Sequence, residues 1–131
     1  MTWTKQNLTE VEDSAAKHGV GESQEARFPR EALSAEQTGL NYLTVKPGRR
    51  EAFAHRHRTA EEIYVVLAGS GRIKLDDDIV AIRPLDSIRM APGVTRAIEA
   101  GPEGIEILAF GPRHENDAEM VADFWPGAEQ G

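Results

Sequence analysis

Residues 62–82 read EIYVVLAGSGRIKLDDDIVAI. The first eight, EIYVVLAG, are rich in β-branched and aromatic side chains and reach a glycine at 69. RIKLD then alternates strictly, with Ile73 and Leu75 on one side and Arg72 and Lys74 on the other. Period-two alternation is the signature of a half-buried strand. The spacing therefore predicts a strand to Gly69, a hairpin turn at Gly69-Ser70-Gly71 and a second strand whose Arg72 and Lys74 face solvent. A tight turn follows at Asp76-Asp77-Asp78, with a return through IVAI. The same texture extends outward. GLNYLTVKPG (39–48) alternates and stops at a Pro-Gly turn. SIRMA, RAIEA and GIEILAF follow, separated by Pro92-Gly93 and Gly101-Pro102. Six or seven short strands with no strand–helix alternation predict an all-β sandwich or barrel and argue against a parallel α/β fold.

The chain of 131 residues fits one domain. Residues 1–38 are polar, broken by Gly19, Gly21 and Pro29, and read as an N-terminal arm with a short strand near Ala26–Phe28. The barrel is expected over 39–113. The tail, 114–131, is expected to form a short helix or turn that lays Met120, Phe124 and Trp125 on the barrel. The absence of cysteine excludes disulfides, zinc–thiolate sites and a thiol nucleophile. A net charge of −7 opposes a phosphate backbone, so no nucleic-acid partner is expected. MTWTKQNLTE lacks the apolar run of a secretory signal, and no segment has the ~18 apolar residues of a membrane span. A cytoplasmic protein without a membrane partner is the resulting expectation.

The run HRHRTAEE (55–62) carries the chemistry. Alternate strand residues share a face, so His55 and His57 point the same way. Glu62 opens the next strand and shares its parity with Tyr64; Glu61 has the opposite parity. Two imidazoles and one carboxylate make a facial triad with open coordination positions. It suits non-haem iron, and such sites also take manganese, nickel, copper or zinc. An isolated H-x-H is more often two exposed polar residues, and the charged Arg56 and Arg58 suit a solvated loop. The preceding Pro-Gly turn, the carboxylate at a workable distance and the barrel pattern favour a metal.

The stretch from Gly48 through His55, His57 and Glu62 to Gly69 resembles the first motif of the cupins, G-x5-H-x-H-x3-4-E-x6-G. The match is in register from His55 onward and has one extra residue after Gly48. The resemblance covers roughly residues 40–112. It implies a single-domain jelly-roll, or double-stranded β-helix, barrel whose His55, His57 and Glu62 point inward onto a divalent metal. Its members include dioxygenases, isomerases, decarboxylases, sugar binders and proteins without catalytic activity, so an enzyme of dioxygenase or isomerase type and a non-catalytic binding protein are both open.

The second cupin motif, G-x5-P-x-G-x2-H-x3-N, is matched by LDSIRMAPGVTRAIEA (85–100). Leu85 replaces its leading glycine, Arg96 stands where the fourth ligand is expected, and Ala100 replaces its asparagine. Arginine stays protonated and cannot ligate a metal. Its alternation with Ile98 points it inward, where a buried cation needs a partner. Three arrangements are open. Arg96 pairs with Glu62 and closes a metal-free site; a metal binds and Arg96 grips a small anionic ligand; or Arg96 turns outward. Tyr64 and Arg96 are the expected pocket residues. His114 is a replacement ligand if the tail folds over the mouth, and otherwise a surface residue; His18 is expected to be exposed. Jelly-roll edges need cover, and the arm is suited to adding a strand across a twofold axis, so a homodimer is expected.

Overall fold

The computed structural model describes residues 2–126; Met1 of the arm and residues 127–131 of the tail lie outside the described residues. Eight strands carry the fold: β1 (Gln24–Arg27), β2 (Thr38–Val45), β3 (Ala54–His57), β4 (Glu62–Leu75), β5 (Asp78–Ile82), β6 (Ser87–Met90), β7 (Arg96–Pro112) and β8 (Ala118–Val121). All pairings are antiparallel. β4 and β7 pair from Ile63↔Phe110 to Leu75↔Arg96 and form the spine of both walls. In one wall β1 and β2 extend from the later half of β7, and β6 from the early half of β4. In the other, β5 extends from the later half of β4, while β3 joins the start of β7 and β8 joins β3. The all-β jelly-roll expected from the strand spacing is present.

Two expected turns are not turns. Gly69-Ser70-Gly71 lies inside β4, and Gly101-Pro102 lies inside β7. Register shifts fall between Val66 and Ala68 and between Gly69 and Gly71, where β4 passes from one wall to the other. A Cβ on Gly71 would lie 2.2 Å from the Glu99 carbonyl oxygen. These glycines permit backbones to approach closely at a corner. The Asp-rich turn is real: Leu75 pairs with Asp78, and Asp76 takes the left-handed φ of 52° that Asp tolerates.

The core lies between the walls. Val45, Tyr64, Val66, Ile73, Met90, Ile98, Ile105 and Ile107 are buried there. Each such aliphatic side chain contributes roughly 1.5–3 kcal/mol on leaving water. The parity read from the sequence holds for Ile73, but Lys74 is not solvated: it is only 7 % exposed. Its ammonium donates to the Asp76 carbonyl and sits 3.7 Å from the Phe124 ring centroid. The tail covers that face. Of the expected helix or turn, no helix forms among the described residues: residues 118–121 pair as β8 on β3, and bends and a turn follow through residue 126. Met120 pairs with His55 and so lies on the cavity side of β8, at its rim and 70 % exposed, whereas Trp125 is buried with Ala54 and Ala97 on the other face, and Phe124 packs against them. Arg50 and Arg72 flank the Trp125 ring at 4.8 and 5.7 Å.

The arm is tied to its own barrel. Asp13 Oδ1 accepts from the backbone N–H groups of Ala15 and Ala26, joining the single helical turn Ser14–Lys17 to β1. β1 then covers the edge of β2. Among the described residues no helix is long and apolar enough to cross a membrane.

Candidate metal and ligand site

Two elements bring the three expected ligands together. β3 presents His55 and His57 on one face, their rings 5.2 Å apart and edge-on. β4 supplies Glu62 from the opposite wall. The Nε2 atoms of His55 and His57 lie 3.8 and 3.6 Å from Glu62 Oε1. The ligand atoms of the three residues all fall within 4.8 Å of one another. Glu61 is exposed and paired with Arg89 at 2.5 Å, as its parity requires.

Arg96 is inward and fully buried at 0 % exposure. Its Nη2 donates to Glu62 Oε1 at 2.5 Å and its Nη1 to the Val94 carbonyl at 2.8 Å. The Arg96–Glu62 pairing is present, and the outward arrangement is not. Burial pushes the Glu62 carboxyl up, but the adjacent His55 and His57 imidazoles and the hydrogen-bonded Arg96 guanidinium outweigh it and hold Glu62 well below the usual carboxylate range. Glu62 is thus a firm anion that two imidazoles and a guanidinium share.

A cavity of about 260 Å³ opens above these groups. Its floor holds His55, His57, Glu62, Tyr64 and Glu51, and Phe53 and Met120 stand at its mouth. Arg96 is beneath it and not part of its lining. The buried Tyr64 hydroxyl has no hydrogen-bond partner among the described residues, and burial raises its pKa well above the usual tyrosine value. His114 and His18 are exposed and take no part in this floor.

Two residues were not expected. Glu51 lies in the β2–β3 loop and is held by β7: its N–H donates to the Ile98 carbonyl and its Oε1 accepts the Ile98 N–H, both at 2.9 Å. Burial is the main cause that pushes its carboxyl up to about 7, with the Glu62 charge adding to it. In the sequence it reads as one more charge in GRRE. Asp117 accepts from the N–H groups of Thr59 and Ala60 at 2.7 and 3.0 Å and stands 3.3 Å from His57 Nδ1. Burial raises its pKa, but the Ala60 and Thr59 N–H groups lower it further than burial raises it. Its place behind His57 depends on the tail lying along β3, which its own sequence does not signal.

The cupin domain family matches residues 41–109. The chain belongs to the cupin family. This cupin is 30 % identical over 80 residues to the uncharacterized protein MJ1618 of Methanocaldococcus jannaschii, covering 59 % of the chain and 64 % of that relative. The chain thus spans just under two-thirds of the length of the curated relative it matches. Among solved structures it resembles the polyketide cyclase RemF of Streptomyces resistomycificus (TM-score 0.75, 19 % identity, 95 % of this chain and 88 % of that one). It also resembles a cupin protein from Bacteroides fragilis (TM-score 0.70, 20 % identity, 88 % of each chain). At these identities the structures establish the shared fold alone.

The donor set of this cupin fits a divalent metal. Both Nε2 atoms face the carboxylate, and Asp117 stands at the far nitrogen of His57, where an acceptor orients a ligating imidazole. Arg96 Nη2 already donates to the Glu62 oxygen that faces both imidazoles.

Proposed function

We propose that this cupin binds a small molecule in the cavity beside a divalent metal held by His55, His57 and Glu62. The convergence of three ligand atoms within 4.8 Å on the cavity floor carries this reading. A metal bound there supplies Lewis-acid polarisation of a ligand oxygen. The chain's own residues do the rest. Asp117 places a carboxylate oxygen 3.3 Å from His57 Nδ1, a buried nitrogen with no hydrogen bond among the described residues. Arg96 keeps Glu62 ionised and fixed in direction. Tyr64 backs the cavity wall, with its hydroxyl buried and unpartnered among the described residues. A second reading is favoured by the 2.5 Å bond between Arg96 and Glu62: a metal-free binding barrel in which that pair occupies the centre.

Metal content by mass spectrometry separates the two. Tag-free protein, purified without chelator, is expected to carry about one equivalent, as a three-donor site allows. His55→Ala/His57→Ala is expected to carry none. A wild type that stays empty while Arg96→His fills would establish the metal-free reading. Melting temperature gives an independent readout, because an ion that binds only the folded state raises it.

A further inference from the structure

We propose that the cavity selects an uncharged ligand of about one ring, with an apolar body at the mouth and a polar head at the floor, and that Glu51 and Glu62 turn anions away. The proposal rests on the reading that this cavity binds a small molecule, and it names that molecule's class.

The wall makes the first argument. Above the floor the lining is mostly apolar: Phe28, Leu43, Phe53, Ala109, Ala118 and Met120 surround the space, with Gln24 and Asn41 as its polar members. Phe53 is 54 % exposed and Met120 70 %, an exposure of apolar surface that a ligand would reduce. A volume of about 260 Å³ lies at the small end for ligand sites.

Charge makes the second. No lysine or arginine lines the cavity. The nearby guanidinium of Arg96 is out of reach and bonded to Glu62 and Val94. With no metal, the groups around the floor are Glu51 and Glu62 on one side of the balance and Arg96 on the other, with Asp117 behind His57. With a divalent ion present and all carboxylates ionised, Glu51, Glu62 and Asp117 offset the ion and Arg96. Neither state leaves positive charge for an incoming carboxylate or phosphate. An anion would also lose its hydration without a counter-charge. A hydroxyl or amide instead finds the Glu51 carboxylate and the His55 and His57 imidazoles in the lining. The Glu51 carboxylate, fixed by the Ile98 N–H that donates to its Oε1 at 2.9 Å, accepts from such a group.

A matched pair of probes tests this. 4-Methylbenzamide and 4-methylbenzoate have nearly the same shape and differ in charge. Each is titrated into the full chain, metal-loaded and chelator-treated in parallel, and binding is read from the histidine ring resonances in NMR. The amide is expected to bind at least about tenfold more tightly than the benzoate in both states. Glu51→Gln keeps the side-chain shape and the Ile98 contact; it is expected to narrow that ratio several-fold. Phe53→Ser is expected to weaken the amide while leaving the melting temperature within a few degrees of wild type. Benzoate binding as tight as amide binding, or neither probe binding at about 10 mM, a concentration that reveals even weak fragments, would overturn the proposal. The metal reading fails separately, by metal content: an empty protein that prefers the amide keeps this inference, and a loaded one that prefers benzoate loses it.

Discussion

Arg96 and Glu62 form a buried pair whose value lies in being complete. Each charge alone would be stranded in the barrel, and breaking such a pair costs roughly 3–5 kcal/mol. Arg96→Ala is therefore expected to lower stability by that amount in urea unfolding. Because it also frees Glu62 Oε1, about 1 mM Mn²⁺ should restore part of the loss, by mass action. Failure of any divalent ion to stabilise the variant would mean that the histidines and Glu62 do not act together. Glu51 behaves in the opposite sense. Its folded pKa, about 7, lies above the ordinary carboxylate value, so folding favours its protonated form. That advantage is complete below the ordinary value and is lost as pH rises through about 7. Glu51→Gln should thus gain on wild type by roughly 1–3 kcal/mol between pH 5 and pH 9. Parallel urea titrations across that range would show it; a constant difference would place Glu51 in water.

At the scale of elements, the sequence was most legible where period-two alternation governs. His55 and His57 share a face, Glu62 and Tyr64 point inward, and Glu61 points out, all as parity requires. Glycine was the ambiguous letter. Gly-Ser-Gly and Gly-Pro are equally compatible with a hairpin and with a strand bending through a corner, and local pattern does not distinguish them. Only the partner strand does. Glu99 and Gly104, far away in sequence, press their carbonyls against Gly71 and Gly69. Gly71→Ala is accordingly expected to cost roughly 2 kcal/mol or more through overpacking. Gly48→Ala, at φ 68° in open space, should cost only about 1 kcal/mol. Thermal melts of the two variants compare close approach with backbone handedness directly. Lys74 was misread for a related reason. Strand parity says which side it faces, and cannot say that Phe124 will lie over it.

At the scale of the molecule, the outer face of the first wall carries the cross-strand pair Ile63 and Phe110, 38 and 37 % exposed. The homodimer expected from the sequence uses a strand added by the arm, which here pairs with β2 of its own chain; a second copy seated on this face instead would cover it. Sedimentation at micromolar concentration should then give twice the chain mass, and Phe110→Lys should return it to one. A single-chain mass for the wild type would rule the dimer out. The tail has a different consequence. β3 touches β7 through one residue pair, His55↔Arg96, but touches β8 through four. Trp125 then seals the end of that contact. The strand that bears both histidines is consequently held by chain that is synthesised some sixty residues after it. A nascent barrel can assemble its spine while the histidine strand still lacks its outer neighbour. Trimming by a protease ahead of residue 118 would undo the same step. Such a clipped molecule would keep most of its walls and lose the grip on its histidines, so that integrity of the tail, more than integrity of the barrel, decides whether the molecule is competent.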